Sequence, residues 1–159
     1  MSNIPNIKVP IIKNGIYETI SLQKEFENKK IILFGIPGAF TPTCSEKHFP
    51  DYINAINILK NKGINYVYCL SVNDKHVMKE WLAKQSNTNE IIGIADGNAE
   101  ITKYFKLLED KTKNYMGFRS SRFAMIIYNN IIKKIFIDKT GDYKVSSPIY
   151  IINYIDGEN

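Results

Sequence analysis

KKIILFGIPGAFTPTCSEKHFP, residues Lys29–Pro50, decides the fold. Its first part is an unbroken apolar run from Ile31 to Ile36, which predicts a central strand covered on both faces rather than one face of an amphipathic sheet. Pro37-Gly38 ends that strand. Beyond the turn, Phe49, Tyr52, Ile53, Ile56 and Leu59 recur at helical spacing through about Lys62, with Gly63 as the terminator. Pro50 lies inside this pattern and should kink the helix or delay its regular part. Strand, tight loop and helix together place Cys44 in the first turn of the helix.

The rest of the chain extends this unit. Asn65 to Val72, NYVYCLSV, reads as a second buried strand, after which Asn73 or Asp74 caps a helix with Val77, Trp81 and Leu82 on one face. Trp81 is expected to pack that helix onto the sheet. A third strand near Ile91 to Ala95 precedes a short helix around Ala99 to Phe105 and a long loop through Gly117. RFAMIIYNNIIKKIFID has the form of a β-hairpin turning at Asn129-Asn130, and Ser147-Pro148 opens a last helix. At the N-terminus, Pro5, Pro10 and Gly15 punctuate what reads as irregular chain with short extended pieces. Ser21 then caps a short helix through about Asn28. Alternating strands and helices closed by a hairpin predict an α/β fold, a three-layer α/β/α sandwich with a mixed central sheet and thioredoxin-like topology, in a single domain over 1–159.

Composition narrows the function classes. The chain has 159 residues, 44% apolar and 23% charged, which is ordinary for a globular protein. No apolar run is long enough to span a membrane, and MSNIPNIKVP lacks the basic start and apolar segment of a secretory signal. The net charge of +5 comes from lysines scattered through ENKK, KNK and KK pieces, not from a basic stripe interleaved with aromatics, so nucleic-acid binding is not expected. The two cysteines make no disulfide framework and no zinc-ligand spacing. His48 and His76 stand alone and read as surface or helix residues. No metal or cofactor is expected, and a reducing, cytoplasmic setting fits best.

A cysteine at a strand-to-helix turn is placed for reactivity. The first helical turn offers free backbone N–H groups and the positive end of the macrodipole. Both favour the thiolate, the nucleophilic form, which an ordinary thiol populates to only a few per cent at neutral pH. The Thr41 hydroxyl can reach back across the turn to a sulfur or to a bound oxygen. Pro37 and Pro42 stiffen the loop and remove two N–H groups. The alternative is a buried helix-start cysteine with no chemistry.

Pro37-x-x-x-Thr41-x-x-Cys44 resembles the active-site signature of the peroxiredoxins, and PGAFTPTCS…HFP resembles their type-5 branch. CLSVNDKHVMKEW, IADGNAEITKYF and RSSRFAMII are similar to further blocks of that branch, in order and along nearly the whole chain. The resemblance implies that Cys44 is the peroxidatic cysteine, whose thiolate attacks hydrogen peroxide or a small alkyl hydroperoxide and becomes a sulfenic acid. Thr41 matches the threonine that bonds thiolate and peroxide, and Pro37 the proline that shields the site. Arg122, directly before Phe123-Ala-Met125, matches the family arginine; a guanidinium there stays charged and polarises the O–O bond. Arg119 is the second choice for that role and otherwise reads as a surface charge. The Cys44 N–H should add a further donor. Phe40 and Phe118 match aromatic residues of a dimer contact, which implies a homodimer.

The chain departs from the family at one place. Many type-5 relatives carry a resolving cysteine in the stretch that reads GDYKVSSP here, at about Val145, and no cysteine follows Cys69. The resemblance therefore implies a one-cysteine cycle finished by an external thiol, either glutathione with glutaredoxin or thioredoxin directly. Cys69, in a predicted central strand, is expected to be inert. Two other functions remain open on the sequence: a peroxide-sensing relay that passes oxidation from Cys44 to a partner protein, and an inactive thioredoxin-fold binding module, which the coexistence of Pro37, Thr41, Cys44 and Arg122 argues against.

Overall fold

A computed structural model describes residues 3–85 and 90–157; positions 1, 2, 86–89, 158 and 159 of the expected 1–159 span lie outside the described residues. The centre is a seven-stranded sheet in the order β2-β1-β5-β4-β3-β8-β9, where β1 spans Lys8–Lys13 and β2 spans Ile16–Ser21. Strands β3 (Lys30–Ile36), β4 (Tyr66–Ser71) and β5 (Ile91–Ala95) run parallel. Strand β8 (Phe123–Tyr128) joins β3 antiparallel, and β9 (Ile131–Ile137) pairs antiparallel with β8 at the edge.

Apolar residues on the parallel strands alternate between two cores. Ile32, Phe34, Ile36, Val67 and Cys69 face one side, where they meet α2 (Phe49–Asn61), α3 (Lys75–Lys84) and α5 (Pro148–Gly157). Ile31, Leu33, Tyr68 and Leu70 face the other, against α1 (Leu22–Phe26) and α4 (Glu100–Tyr104). That arrangement is the expected α/β/α sandwich, and it explains why β3 shows no polar alternation. Among the described residues, no helix is long and apolar enough to cross a membrane.

Several local signals act as expected. Asp74 accepts from the N–H groups of His76 and Val77 and caps α3. After α2, Gly63 sits at φ +93° while Gly63 N donates to Lys60 O and Ile64 N to Leu59 O, a Schellman closure. Asn129 and Asn130 take φ 45° and 67°, as a tight hairpin turn requires.

Three expectations need correction. The N-terminal residues are not irregular: β1 (Lys8–Lys13) and β2 (Ile16–Ser21) form an antiparallel hairpin. It turns at Asn14-Gly15, both at positive φ, and Pro10 is tolerated because β1 meets β5 only at Ile11 and Ile12. The helix expected through Asn28 stops at Phe26, with Asn28 left-handed at φ 56°; Ser21 Oγ donates to Asn6 instead of capping it. The long loop before Gly117 contains β6 (Leu108–Asp110), which pairs with β7 (Phe118–Ser120).

Candidate active site

Cys44 sits where the strand-to-helix turn was expected to put it, but the turn has an unusual form. Residues Cys44–His48 make one π turn before α2, closed by Phe49 N donating to Cys44 O. The cause is Pro50, which cannot donate to Glu46 O and whose ring would collide with that carbonyl in a regular helix. Widening the turn removes the conflict. Pro50 thus delays the α-helix, and Cys44 and His48 lie on the same buried side of the turn, both with no solvent exposure.

The loop preceding Cys44 is held from both sides. Ala39 N donates to Asn73 Oδ1 at 2.9 Å, which ties the loop to the end of β4. Thr41 Oγ1 donates to Gly38 O at 2.6 Å, and Ser45 N to Thr41 O at 3.0 Å. Thr41 is therefore engaged with its own turn and not with the sulfur. A Cβ on Gly38 would lie 2.6 Å from Arg119 Nη1, so Arg119 could keep its present place only beside a glycine. Arg119 donates from Nη1 to Pro37 O at 3.3 Å and from Nε to Met116 O at 2.9 Å. It is a half-buried brace across the loop, not the surface charge expected. Trp81 does more than pack: its indole N–H donates to Ser45 Oγ at 2.9 Å, which fastens the residue after Cys44 to α3.

Arg122, directly before β8, reaches the sulfur. Its Nη2 lies 3.4 Å from Cys44 Sγ, and its Nη1 lies 3.1 Å from His48 Nδ1. The His48 ring also lies 3.3 Å from Ser146 O through Nε2, an oxygen that takes the Tyr52 hydroxyl at 2.6 Å. Only the tautomer with hydrogen on Nε2 satisfies both contacts, since Arg122 can only donate. Burial first, and the Arg122 charge second, push the His48 pKa down to about 3, so the ring is neutral near pH 7. The Tyr143 ring lies 5.7 Å from the Arg122 guanidinium carbon and 4.7 Å from the His48 ring, and its hydroxyl donates to Asp51.

The loop carrying Tyr143 and Ser146 is anchored by Asp138. That buried carboxylate accepts from the backbone N–H groups of Lys144, Val145 and Ser146 and from the Ser146 hydroxyl. Asp138 N donates in turn to Arg122 O at 2.9 Å. Pro37, Thr43 and Arg122 line a cleft of about 140 Å³ together with Glu109, Lys111, Lys139 and Asp142.

Cys69 is fully buried in β4, between Phe34 and Gly93 of the neighbouring strands. Burial pushes its thiol pKa well up, and the proximity of Cys44 adds to the rise. Phe40 and Phe118 are about half exposed, with Phe40 left-handed at φ 66°. His48, Arg119, Tyr143 and Asp138 were not legible as site residues. The one usable signal was that His48 lies four positions after Cys44 on the same helix, hence on the same face.

Known proteins place this chain in a family. The Redoxin family model matches residues 2–147. The chain is 39% identical to Peroxiredoxin-2D of Arabidopsis thaliana over 135 residues, covering 85% of this chain and 83% of that protein. The solved structure of reduced Prx3 from Vibrio vulnificus in complex with H2O2 superposes with a TM-score of 0.90 at 36% identity, covering 97% of this chain and 96% of that one. The antioxidant protein of Plasmodium falciparum, described as a 1-Cys peroxiredoxin, gives a TM-score of 0.90 at 34% identity, over 98% and 97% of the two chains. With a thioredoxin-like sandwich, a cysteine at its strand-to-helix turn and these relatives over most of its length, the chain belongs to the peroxiredoxins of the redoxin family, thiol-dependent peroxidases among the oxidoreductases.

Proposed function

We propose that Cys44 is the peroxidatic residue of a one-cysteine cycle, acting on hydrogen peroxide and small alkyl hydroperoxides. The observation that carries this reading is the 3.4 Å approach of Arg122 Nη2 to Cys44 Sγ. The Cys44 thiolate attacks the terminal peroxide oxygen. An S–O bond forms as the O–O bond breaks, and the departing oxygen leaves as water or an alcohol with the peroxide's proton. The sulfenate left on Cys44 takes a proton from solvent. Arg122 supplies a fixed positive charge where negative charge moves from sulfur to oxygen. The Cys44 N–H is a further donor to the peroxide oxygens, the Thr41 hydroxyl becomes one when it turns away from Gly38 O, and Pro37 excludes water from the loop.

In the second half, a small thiol condenses with the sulfenic acid, releasing water and leaving a mixed disulfide on Cys44. A second thiol then restores Cys44 and carries the disulfide away. Glutathione with glutaredoxin, or thioredoxin, fits this role. Two features support an external thiol: the chain has only two cysteines, and Cys69 is buried in a central strand with its pKa raised by that burial. The resemblance to a protein described as a 1-Cys peroxiredoxin agrees. The half-exposed Phe40 and Phe118 support a homodimer contact beside the site, and we read the whole span 1–159 as one domain working in a reducing, cytoplasmic compartment. A stopped-flow peroxide assay tests the reading: Cys44→Ser should abolish the fast reaction, and fast oxidation surviving in that variant removes Cys44 from its role.

A further inference from the structure

We infer that the cleft beside Arg122 seats the reducing thiol of the second half-reaction, and that this thiol is a small molecule bearing both carboxylate and ammonium: Lys111 and Lys139 take the carboxylate and Asp142 the ammonium. This rests on the reading of Cys44 as the peroxidatic cysteine. Arg122 both lines the cleft and touches the Cys44 sulfur, so the cleft adjoins the reacting atom. Its volume of about 140 Å³ matches roughly five waters at about 30 Å³ each, which is room for one amino-acid-sized group. Lys111 pairs with Glu109 at 3.4 Å, but a lysine ammonium carries three donors, and one carboxylate leaves capacity for a second anion. Among the described residues neither Lys139 nor Asp142 has an ion-pair partner. A simple surface pair therefore accounts for Lys111 and Glu109 but not for two further opposite charges lining the same small space.

The walls are held before any ligand arrives. Asp142 N donates to Lys139 O at 2.9 Å, Asp138 N to Arg122 O at 2.9 Å, and Lys111 N to Gly117 O at 2.7 Å. Preformed walls lower the ordering cost of binding. Three cations against two carboxylates leave the lining with one positive charge in excess. While Cys44 is a thiolate beside Arg122, it cancels that excess, and the site suits a neutral peroxide. Once Cys44 is a sulfenic acid the sulfur is neutral, and the excess returns at the step that needs an anionic thiol. The thiolate of the seated molecule then attacks the Cys44 sulfur. An S–S bond forms as the S–O bond breaks, and the hydroxyl leaves as water with the proton the thiol gave up. A second thiol attacks the mixed disulfide, restores Cys44 and carries the new disulfide away.

The experiment oxidises wild type, Lys139→Gln, Lys111→Gln and Asp142→Asn with one equivalent of hydrogen peroxide. Each is then mixed with glutathione, glutathione diethyl ester, cysteine or 3-mercaptopropionate, and the fluorescence of Trp81, bonded to Ser45, follows reduction. Rates are normalised to thiolate concentration. In wild type, glutathione should exceed its ester by about tenfold, and each lysine substitution should cut that preference by about fivefold, the upper end for an exposed ion pair. Added salt should shrink the preference as well. Asp142→Asn should remove the advantage of cysteine over 3-mercaptopropionate, which lacks the ammonium. Every comparison is a ratio within one variant, so a general loss of stability does not mimic it. A second readout uses S-methylglutathione, which cannot react. It should shift the amide signals of residues 139–142, and bind more tightly to Cys44→Ser, where no thiolate offsets the cleft, than to reduced wild type. Equal rates for glutathione and its ester in wild type, a preference unchanged by both lysine substitutions, or no amide shifts would each overturn the proposal. Wild-type protein inert to peroxide, or a reactive Cys44→Ser variant, would instead remove the functional reading and the proposal with it.

Discussion

Arg122→Gln isolates the charge that the Cys44 loop cannot supply itself. In the native site Nη2 lies 3.4 Å from the sulfur, Nη1 is held by His48 at 3.1 Å, and the guanidinium lies 5.7 Å from the Tyr143 ring centroid. Glutamine is too short to span from β8 to the sulfur and carries no charge. A hydrogen bond to a charged partner contributes about 1.5–3 kcal/mol. At about 1.4 kcal/mol per tenfold in rate, losing it slows the reaction with peroxide by about 10- to 150-fold. Arg122→Lys keeps the charge without the fork, so it should recover part of the loss. The chain's single tryptophan provides the assay: Trp81 donates to Ser45, next to Cys44, and its stopped-flow fluorescence should follow oxidation directly. Peroxide titrated under pseudo-first-order conditions gives the rate constant for each variant. A rate in Arg122→Gln equal to wild type would refute the reasoning and shift attention to Arg119.

Other outcomes follow from the same contacts. Below the ordinary histidine value of 6.5 the unfolded chain binds a proton at His48 that the folded site, with its pKa near 3, refuses. Stability from this residue is therefore complete above about pH 6.5 and falls as pH drops toward 3, by at most about 1.4 kcal/mol per pH unit. Urea unfolding at several pH values should show that slope in wild type and lose it in His48→Asn; equal slopes would count against it. Gly38→Ala places a methyl group against the flexible end of Arg119, displaces its bond to Pro37 O and should lower stability by about 1 kcal/mol. Adding Arg119→Ala should relieve much of that cost, and strict additivity in thermal melts would argue against the clash. Asp138→Ala leaves three backbone N–H groups of the 144–146 turn without their acceptor and should cost several kcal/mol. Faster limited proteolysis within residues 139–147 would report it, and an unchanged pattern would contradict it.

Much of this was legible in the sequence because the deciding signals are local. The apolar run at Ile31–Ile36 identifies a doubly covered strand, Gly63 and Asp74 mark helix ends, and Asn129-Asn130 marks a hairpin. The loop's turn formers put Cys44 at a helix start, and the family resemblance picked Arg122 out from a distant strand. The N-terminal hairpin was missed although Asn14-Gly15 is a strong turn signal, because two prolines nearby argued against a strand. Pro50 delays the regular helix as expected, but the sequence does not show that the delay takes the form of a π turn with His48 buried beside Cys44. Asp138 and Tyr143 had no local signature at all. Their roles arise only when β9 returns beside β8 and the following loop folds back over Arg122, and no spacing rule encodes such a closure.

The central claim is that Cys44 alone carries the oxidation and that no second cysteine of the chain resolves it. Reduced protein should be given one equivalent of hydrogen peroxide together with a sulfenic-acid trapping reagent, and the adduct located by peptide mass spectrometry. The account predicts a single adduct on Cys44, the same adduct in Cys69→Ala, and none in Cys44→Ser. Adduct on Cys69, or conversion of the wild-type protein to a Cys44–Cys69 disulfide, would contradict it.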